Sequence, residues 1–119
     1  MWPLRLSAKQ QEGRIGEQEA LTYLQQRGLE LVETNFNCKA GEIDLIMRER
    51  DTLVFVEVRK RSGKLKGAAA DSITPAKKRR VICAAQLYLS RFPRMPECRI
   101  DVVTIDGDAL EWLPNAIEM

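Results

Sequence analysis

The amino-acid sequence predicts one mixed α/β domain spanning residues 1–119, with a mixed β-sheet flanked by helices, element order αβββαβ and a short final strand. Three observations lead there. The chain has 119 residues, 45% hydrophobic and 30% charged, with only seven glycines and five prolines, which suits one compact core and excludes a disordered or low-complexity tract. Residues 41–48 and 53–59 read as two strands around a short polar loop suited to a hairpin. The spacing then becomes helical over residues 75–92 before another strand-like run begins. A helix placed between strands allows a parallel pair, and a hairpin requires an antiparallel one, so the sheet is mixed.

Each element has a local reason. Residues 1–7 form an N-terminal tail that ends at Ser7, and Gln10 three residues later completes a capping-box pattern. The helix that follows ends at Arg27, where Gly28 supplies the left-handed residue beyond it. Ile15, Ala20, Leu21 and Leu24 give this helix a partly apolar face, while Gly13 and Gly16 weaken its early turns. Residues 29–35 read as a short strand with Leu29, Leu31 and Val32 turned inward. Residues 41–48 and 53–59 are two more strands, joined by the polar turn Glu49-Arg50-Asp51-Thr52 as a hairpin. Residues 61–72, with Gly63, Gly67 and a run of alanines, read as a mobile basic loop. Thr74 caps the second helix, and Pro75 fits its first position, where no backbone N–H is missed. Val81, Ala84, Ala85, Tyr88 and Phe92 form its apolar stripe, and Pro93 stops it. Residues 98–105 are a strand, and residues 110–113 the short last one.

Composition removes several classes of chemistry. There is no histidine, which excludes Ser-His-Asp and Cys-His catalysis, histidine-bearing zinc sites and any imidazole acid or base. Cys38, Cys83 and Cys98 are odd in number and lack C-x-x-C spacing, so they read as reduced, structural thiols. No apolar run approaches the roughly 18 residues needed to cross a bilayer, and the first residues lack a secretory h-region. The expected setting is cytoplasmic, with no membrane partner.

Charge is modest in sum and uneven in place. The net charge is +2, yet residues 59–80 hold nine basic groups and one acid, Asp71. Residues 101–119 hold five acids and no base. Lys77, Lys78, Arg79 and Arg80 crowd the start of a helix, where the macrodipole disfavours each cation by about 0.3–1 kcal/mol. Phosphates arriving between those side chains and the free backbone N–H groups would offset that cost. Lys64 and Lys66 could close over the same strand. The plainer alternative is a solvated cationic face whose long stems splay into water.

Alternation across the hairpin also sets acids among apolar residues. Glu42, Asp44 and Ile46 share one face of their strand, opposite Ile43 and Leu45. In the next strand Leu53, Phe55, Glu57, Arg59 and Arg61 share a face, opposite Val54, Val56 and Val58. In a suitable register Asp44 and Glu57 meet, repel each other and favour a hard divalent cation such as Mg²⁺. An ordinary ion-pair ladder, with Arg59 and Arg48 answering the two acids, fits the same spacing.

The string Gly41-Glu42-Ile43-Asp44-Leu45-Ile46, followed after the hairpin by Val54-Phe55-Val56-Glu57-Val58-Arg59, resembles the D…E-x-K pattern of the restriction-endonuclease-like nuclease superfamily, which includes Holliday-junction resolvases. The match is closest to the YraN-like family of endonuclease-like proteins. Glu17 in the first helix, Gly28, Asn35, Lys77 and Asp101-Val102-Val103 agree in order, so the resemblance covers residues 13–106. It implies a restriction-endonuclease-like core, with Asp44 and Glu57 as metal-binding acids and Glu17 completing a site for Mg²⁺ or Mn²⁺. Arg59 stands where the superfamily usually has lysine. Arginine stays protonated and is a poor general base, but it can stabilise charge on a phosphoryl oxygen. Lys60 does not replace it, because alternation turns Lys60 to the other face. Asn37 stands where many relatives have an arginine.

The expected function is therefore nucleic-acid binding, with DNA as partner, on a nuclease fold. Mg²⁺-dependent phosphodiester hydrolysis would use Asp44, Glu57 and Arg59, while Arg61, Lys64, Lys66, Lys77, Lys78, Arg79 and Arg80 grip the backbone. Resolvase-like relatives make a homodimer plausible. The rivals are a non-catalytic nucleic-acid-binding module and a structural or protein-interaction subunit whose basic loop meets an acidic partner.

Overall fold

A computed structural model describes residues 7–62 and 66–119, so the first six residues and the basic-loop residue Lys64 lie outside the described part. Helix α1 (Ala8–Gln26) is followed by strands β1 (Glu30–Cys38), β2 (Gly41–Glu49) and β3 (Thr52–Arg61), the one-turn helix α2 (Ala68–Asp71), helix α3 (Pro75–Leu89), and strands β4 (Cys98–Asp106) and β5 (Ala109–Ile117). The five strands form one sheet in the order β1-β2-β3-β4-β5. Strands β3 and β4 are parallel, joined by the α2–α3 crossover, and every other neighbouring pair is antiparallel. The mixed sheet expected from the sequence is present.

Local chemistry fixes the helix ends. Ser7 Oγ accepts the Gln10 N–H at 3.1 Å, and Gln10 Oε1 accepts the Ser7 N–H at 2.8 Å, completing the capping box. At the other end Gly28 adopts φ +93°, which lets the Leu29 N–H reach back to the Leu24 carbonyl at 3.1 Å. Thr74 Oγ1 accepts the Lys77 N–H at 3.2 Å and opens α3, with Pro75 at its first position.

The sheet is a sandwich filling between α1 and α3. Ala20 and Leu24 of α1 pack with Leu45, Met47, Val54, Val56, Val58, Val103 and Ile105. Val81, Ala84, Ala85, Tyr88 and Leu89 of α3 pack with Ile43, Ile46, Leu53, Phe55, Ile100 and Val102. The central strand β3 is buried over Leu53–Val58 because helices cover both of its faces. Gly16 admits α1 onto the sheet: a Cβ there would lie 3.0 Å from the Lys60 Cβ.

Several boundaries differ from the sequence reading. Strand β1 runs on to Cys38, and Leu31 and Val32 are exposed rather than inward, because β1 is an edge strand with a register shift between Leu31 and Glu33. Strand β5 is nine residues long, not four, since pairing with β4 carries it past Leu113 to Ile117. Ile15 is 54% exposed on α1, and Phe92, 37% exposed, lies in the turn beyond α3, which ends at Leu89 with Ser90 as its cap instead of running on to Pro93. The end of the basic loop folds as α2, whose Ala69 is buried. The Asp106 carboxylate accepts the backbone N–H groups of Gly67 and Ala69 at 3.1 and 2.8 Å and holds this turn against the end of β4. Among the described residues no helix is long and apolar enough to cross a membrane.

Candidate functional site

Strands β2 and β3 bring Asp44 and Glu57 together by a route that simple alternation does not give. On β3 the alternation holds: Leu53 and Phe55 join the α3 core, and Val54, Val56 and Val58 the α1 core. On β2 it breaks, because Ile43 and Ile46 pack beneath α3 while Leu45 and Met47 pack beneath α1. The expected pairing of Ile43 with Leu45 on one face is therefore wrong. The ladder between β2 and β3 ends at Leu45 and Val56, and beyond it Asp44 Oδ2 accepts the Val58 N–H at 2.8 Å. A side-chain oxygen thus takes a donor that a ladder carbonyl would otherwise satisfy, and the Asp44 carboxyl hydrogen-bonds to that of Glu57.

Electrostatics mark the pair as unusual. Glu57 is 4% exposed, and burial followed by the charge of Asp44 pushes its pKa up to about 8. Burial raises Asp44 as well. Arg59 answers the pair with an ion pair to Glu57 Oε1 at 2.7 Å. Its Nε is buried and has no hydrogen-bond partner among the described residues, leaving a donor for an incoming acceptor. The expected ladder is only half present, since Arg48 pairs with Glu30 and not with Asp44. Lys60 turns to the α1 side, where it meets Glu19 at 2.6 Å, so it cannot substitute for Arg59.

A cavity of about 670 Å³ lies over this pair, lined by Asp44, Glu57, Arg59, Lys77 and Arg80. A second, of about 300 Å³, shares Arg59 and Lys77 and adds Arg61 and Glu12. Lys77 and Arg80 face the groove because they are three residues apart on α3. Lys78 and Arg79 are exposed and do not line the larger cavity. Lys66 is exposed in the turn before α2. The charge of Arg59, then burial, lowers the pKa of Lys77, because the converging cations outweigh the opposing charge of Glu57. Gly41 closes the wall: a Cβ there would stand 2.7 Å from the Arg80 carbonyl oxygen, so only glycine lets β2 approach α3 so closely.

Glu17 does not join the two acids directly. It lines a separate cavity of about 180 Å³ with Arg14 and Asn35, and Asn35 hydrogen-bonds to it. Burial, then the charges of Asp44 and Glu42, raises its pKa to about 7, so it shares their field without sharing their cavity. Among the described residues no group of three or more His, Cys, Asp or Glu side chains is gathered to hold a metal ion. A buried carboxyl and a half-buried one crowded together nevertheless suit a hard cation of the Mg²⁺ kind, which takes one or two protein carboxylates and draws its remaining ligands from water and phosphate. Such an ion would compete with Arg59 for Glu57.

Sequence reasoning missed the contributions of Glu12 and Glu42. Glu12 Oε1 is buried without a partner among the described residues at the second cavity. Glu42 lines the first and raises both acids. Asn37 also lines it, with its amide donated to the Asn35 carbonyl at 3.1 Å. Asp101, matched earlier only by position, is fully buried and accepts from Arg99, from Trp112 Nε1 at 2.9 Å and from the Asn115 N–H at 2.8 Å. It fastens the irregular pairing of β4 with β5 and stands apart from the groove.

The sequence profile of the Uncharacterised protein family UPF0102 matches residues 16–105, which include Asp44, Glu57, Arg59, Lys77 and Arg80. The chain is 56% identical over 112 residues to UPF0102 protein HEAR0176 of Herminiimonas arsenicoxydans, covering 94% of this chain and 90% of that protein. It is likewise 56% identical over 112 residues to a UPF0102 protein of Janthinobacterium sp. (strain Marseille), covering 94% and 91%. UPF0102 protein Reut_A3265 of Cupriavidus pinatubonensis is 50% identical over 120 residues, covering 100% of this chain and 94% of its own. With a family match across most of the described domain and relatives aligned over nearly their whole length, the chain belongs to the UPF0102 family.

Proposed function

We propose that this protein binds nucleic acid, DNA in the first instance, in the groove above Asp44 and Glu57, on a restriction-endonuclease-like core, and that the carboxyl pair supports metal-assisted phosphodiester hydrolysis. One observation carries the reading: the buried Glu57, the half-buried Asp44 and the cations Arg59, Lys77 and Arg80 line a single cavity. Cations alone would suit any polyanion, and acids alone any cation. Their convergence suits a phosphodiester approached by a divalent ion.

The chain's own residues divide the work. Lys77 and Arg80, on the first turns of α3, hold non-bridging phosphate oxygens and fix the strand. The unpartnered Nε–H of Arg59 points to a role on the phosphate that develops charge. Asp44 and Glu57 would hold Mg²⁺ or Mn²⁺, which when bound supplies a Lewis acid and a more acidic water. Glu17 feels the charge of Asp44 from its own cavity. The ion pair between Arg59 and Glu57 favours a second reading, a binding module without cleavage, in which Arg59 replaces the metal as the neutralising charge.

The test is incubation of end-labelled branched, single-stranded and duplex DNA with Mg²⁺ or Mn²⁺, comparing wild type with Glu57→Gln. Metal-dependent product from wild type and none from the variant is the expected result. Binding by both proteins without product would leave the module, and binding by neither would refute the nucleic-acid reading.

A further inference from the structure

The stretch from residue 72 to residue 96 holds six basic residues and no acid. It makes α3 and the turn after it, with the cations gathered at its two ends and none between residues 80 and 91. Lys77 and Arg80 occupy the groove end of that stretch. Arg91 and Arg94 lie at the other end, and Arg80 to Arg91 is eleven residues, about 16 Å at helical rise.

The far end is aromatic as well as basic. The Arg91 guanidinium lies 4.0 Å from the Tyr88 ring centroid and 5.6 Å from that of Phe36. Phe36 meets Tyr88 edge-on at 5.3 Å, and Phe92 tilts against Tyr88 at 5.9 Å. Tyr88 is buried beneath, while Arg91 is exposed and Phe92 is 37% exposed. The helix dipole explains a cation near the C-terminus of α3. It does not explain why the cation is seated over an aromatic cluster beside an exposed ring. Phe36 also links the two ends, because Asn37 and Cys38, which follow it on β1, line the cavity over the carboxyl pair.

We propose that Arg91, seated on Tyr88 and Phe36 and flanked by Phe92, is a stacking platform for unpaired bases, so that the groove takes nucleic acid with a single-stranded segment. This rests on the nucleic-acid reading above and narrows its substrate. Planar guanidinium and aromatic faces stack on any base, whereas a paired base in a duplex hides its faces from them. The phosphates of the same strand run along Arg80 toward Lys77 and the carboxyl pair.

Fluorescence anisotropy with labelled single-stranded and duplex oligonucleotides of one sequence tests this, using wild type, Arg91→Lys and Phe92→Ala. Arg91→Lys keeps the charge and loses the flat face, and both positions are exposed, so circular dichroism should be unchanged. Each variant is expected to weaken single-strand binding roughly five- to tenfold and duplex binding less than twofold. Equal losses on both oligonucleotides, or no loss on either, overturn the platform but not the groove. Failure of wild type to bind either one overturns both.

Discussion

Replacing Glu57 by glutamine should stabilise the protein at alkaline pH and leave it unchanged at acid pH. The folded pKa of Glu57 is raised from 4.5 to about 8, so between those values the native state holds a proton that the unfolded chain releases. Stability present below about pH 4.5 is therefore lost as pH rises through about 8. At 1.36 kcal/mol per unit the upper bound is roughly 5 kcal/mol, and sharing of the proton with Asp44 and of the charge with Arg59 reduces this to about 2–3 kcal/mol. A glutamine reproduces the protonated acid: its amide donates to Asp44 and its oxygen accepts from Arg59. Urea titrations of wild type and Glu57→Gln at pH 5 and pH 8.5 give the needed double difference. It removes the parallel contribution of Glu17, which is raised for related reasons. Equal stability at pH 5 and an advantage of about 2 kcal/mol for the variant at pH 8.5 are expected. Parallel losses at both pH values would refute a buried Glu57 repelled by Asp44.

Two further substitutions separate the groove from the scaffold. Gly41→Ala should cost about 1–3 kcal/mol by denaturant titration and weaken DNA binding, because the new methyl meets the Arg80 backbone and pushes α3 away from β2. Asp101→Ala should cost about 3–5 kcal/mol, since it strands the donors of Arg99, Trp112 and Asn115 in the interior. In protein that remains folded, Asp101→Ala should leave the salt dependence of DNA binding as it is in wild type.

The sequence made the local decisions legible. Ser7 with Gln10, Gly28, and Thr74 with Pro75 each act within a few residues, and each stands where the helix ends are found. The face shared by Leu53, Phe55 and Glu57 was readable for the same reason, as β3 alternates without interruption. Asp44 was placed correctly beside Glu57 although the faces of its strand were misjudged. The break lies where the β2–β3 ladder stops and a side chain takes over a backbone donor, an event that depends on both strands at once. Long-range packing hid the rest. Nothing local says that Lys77 and Arg80, rather than Lys78 and Arg79, face the acids, or that Glu17 sits one cavity away. The length of β5 and the α2 turn were missed because β4 dictates them, through its pairing and through Asp106.

The salt dependence of DNA binding tests the central claim most directly. A plot of log affinity against log salt has a slope of about −0.9 per duplex phosphate neutralised. With Lys77 and Arg80 both replaced by alanine, the slope should become shallower by about 1.8, whereas the paired change at Lys78 and Arg79 should alter it by less than about half as much. Equal changes from the two pairs, or no affinity for DNA at low salt, would contradict a groove in which phosphates lie against α3 above Asp44 and Glu57.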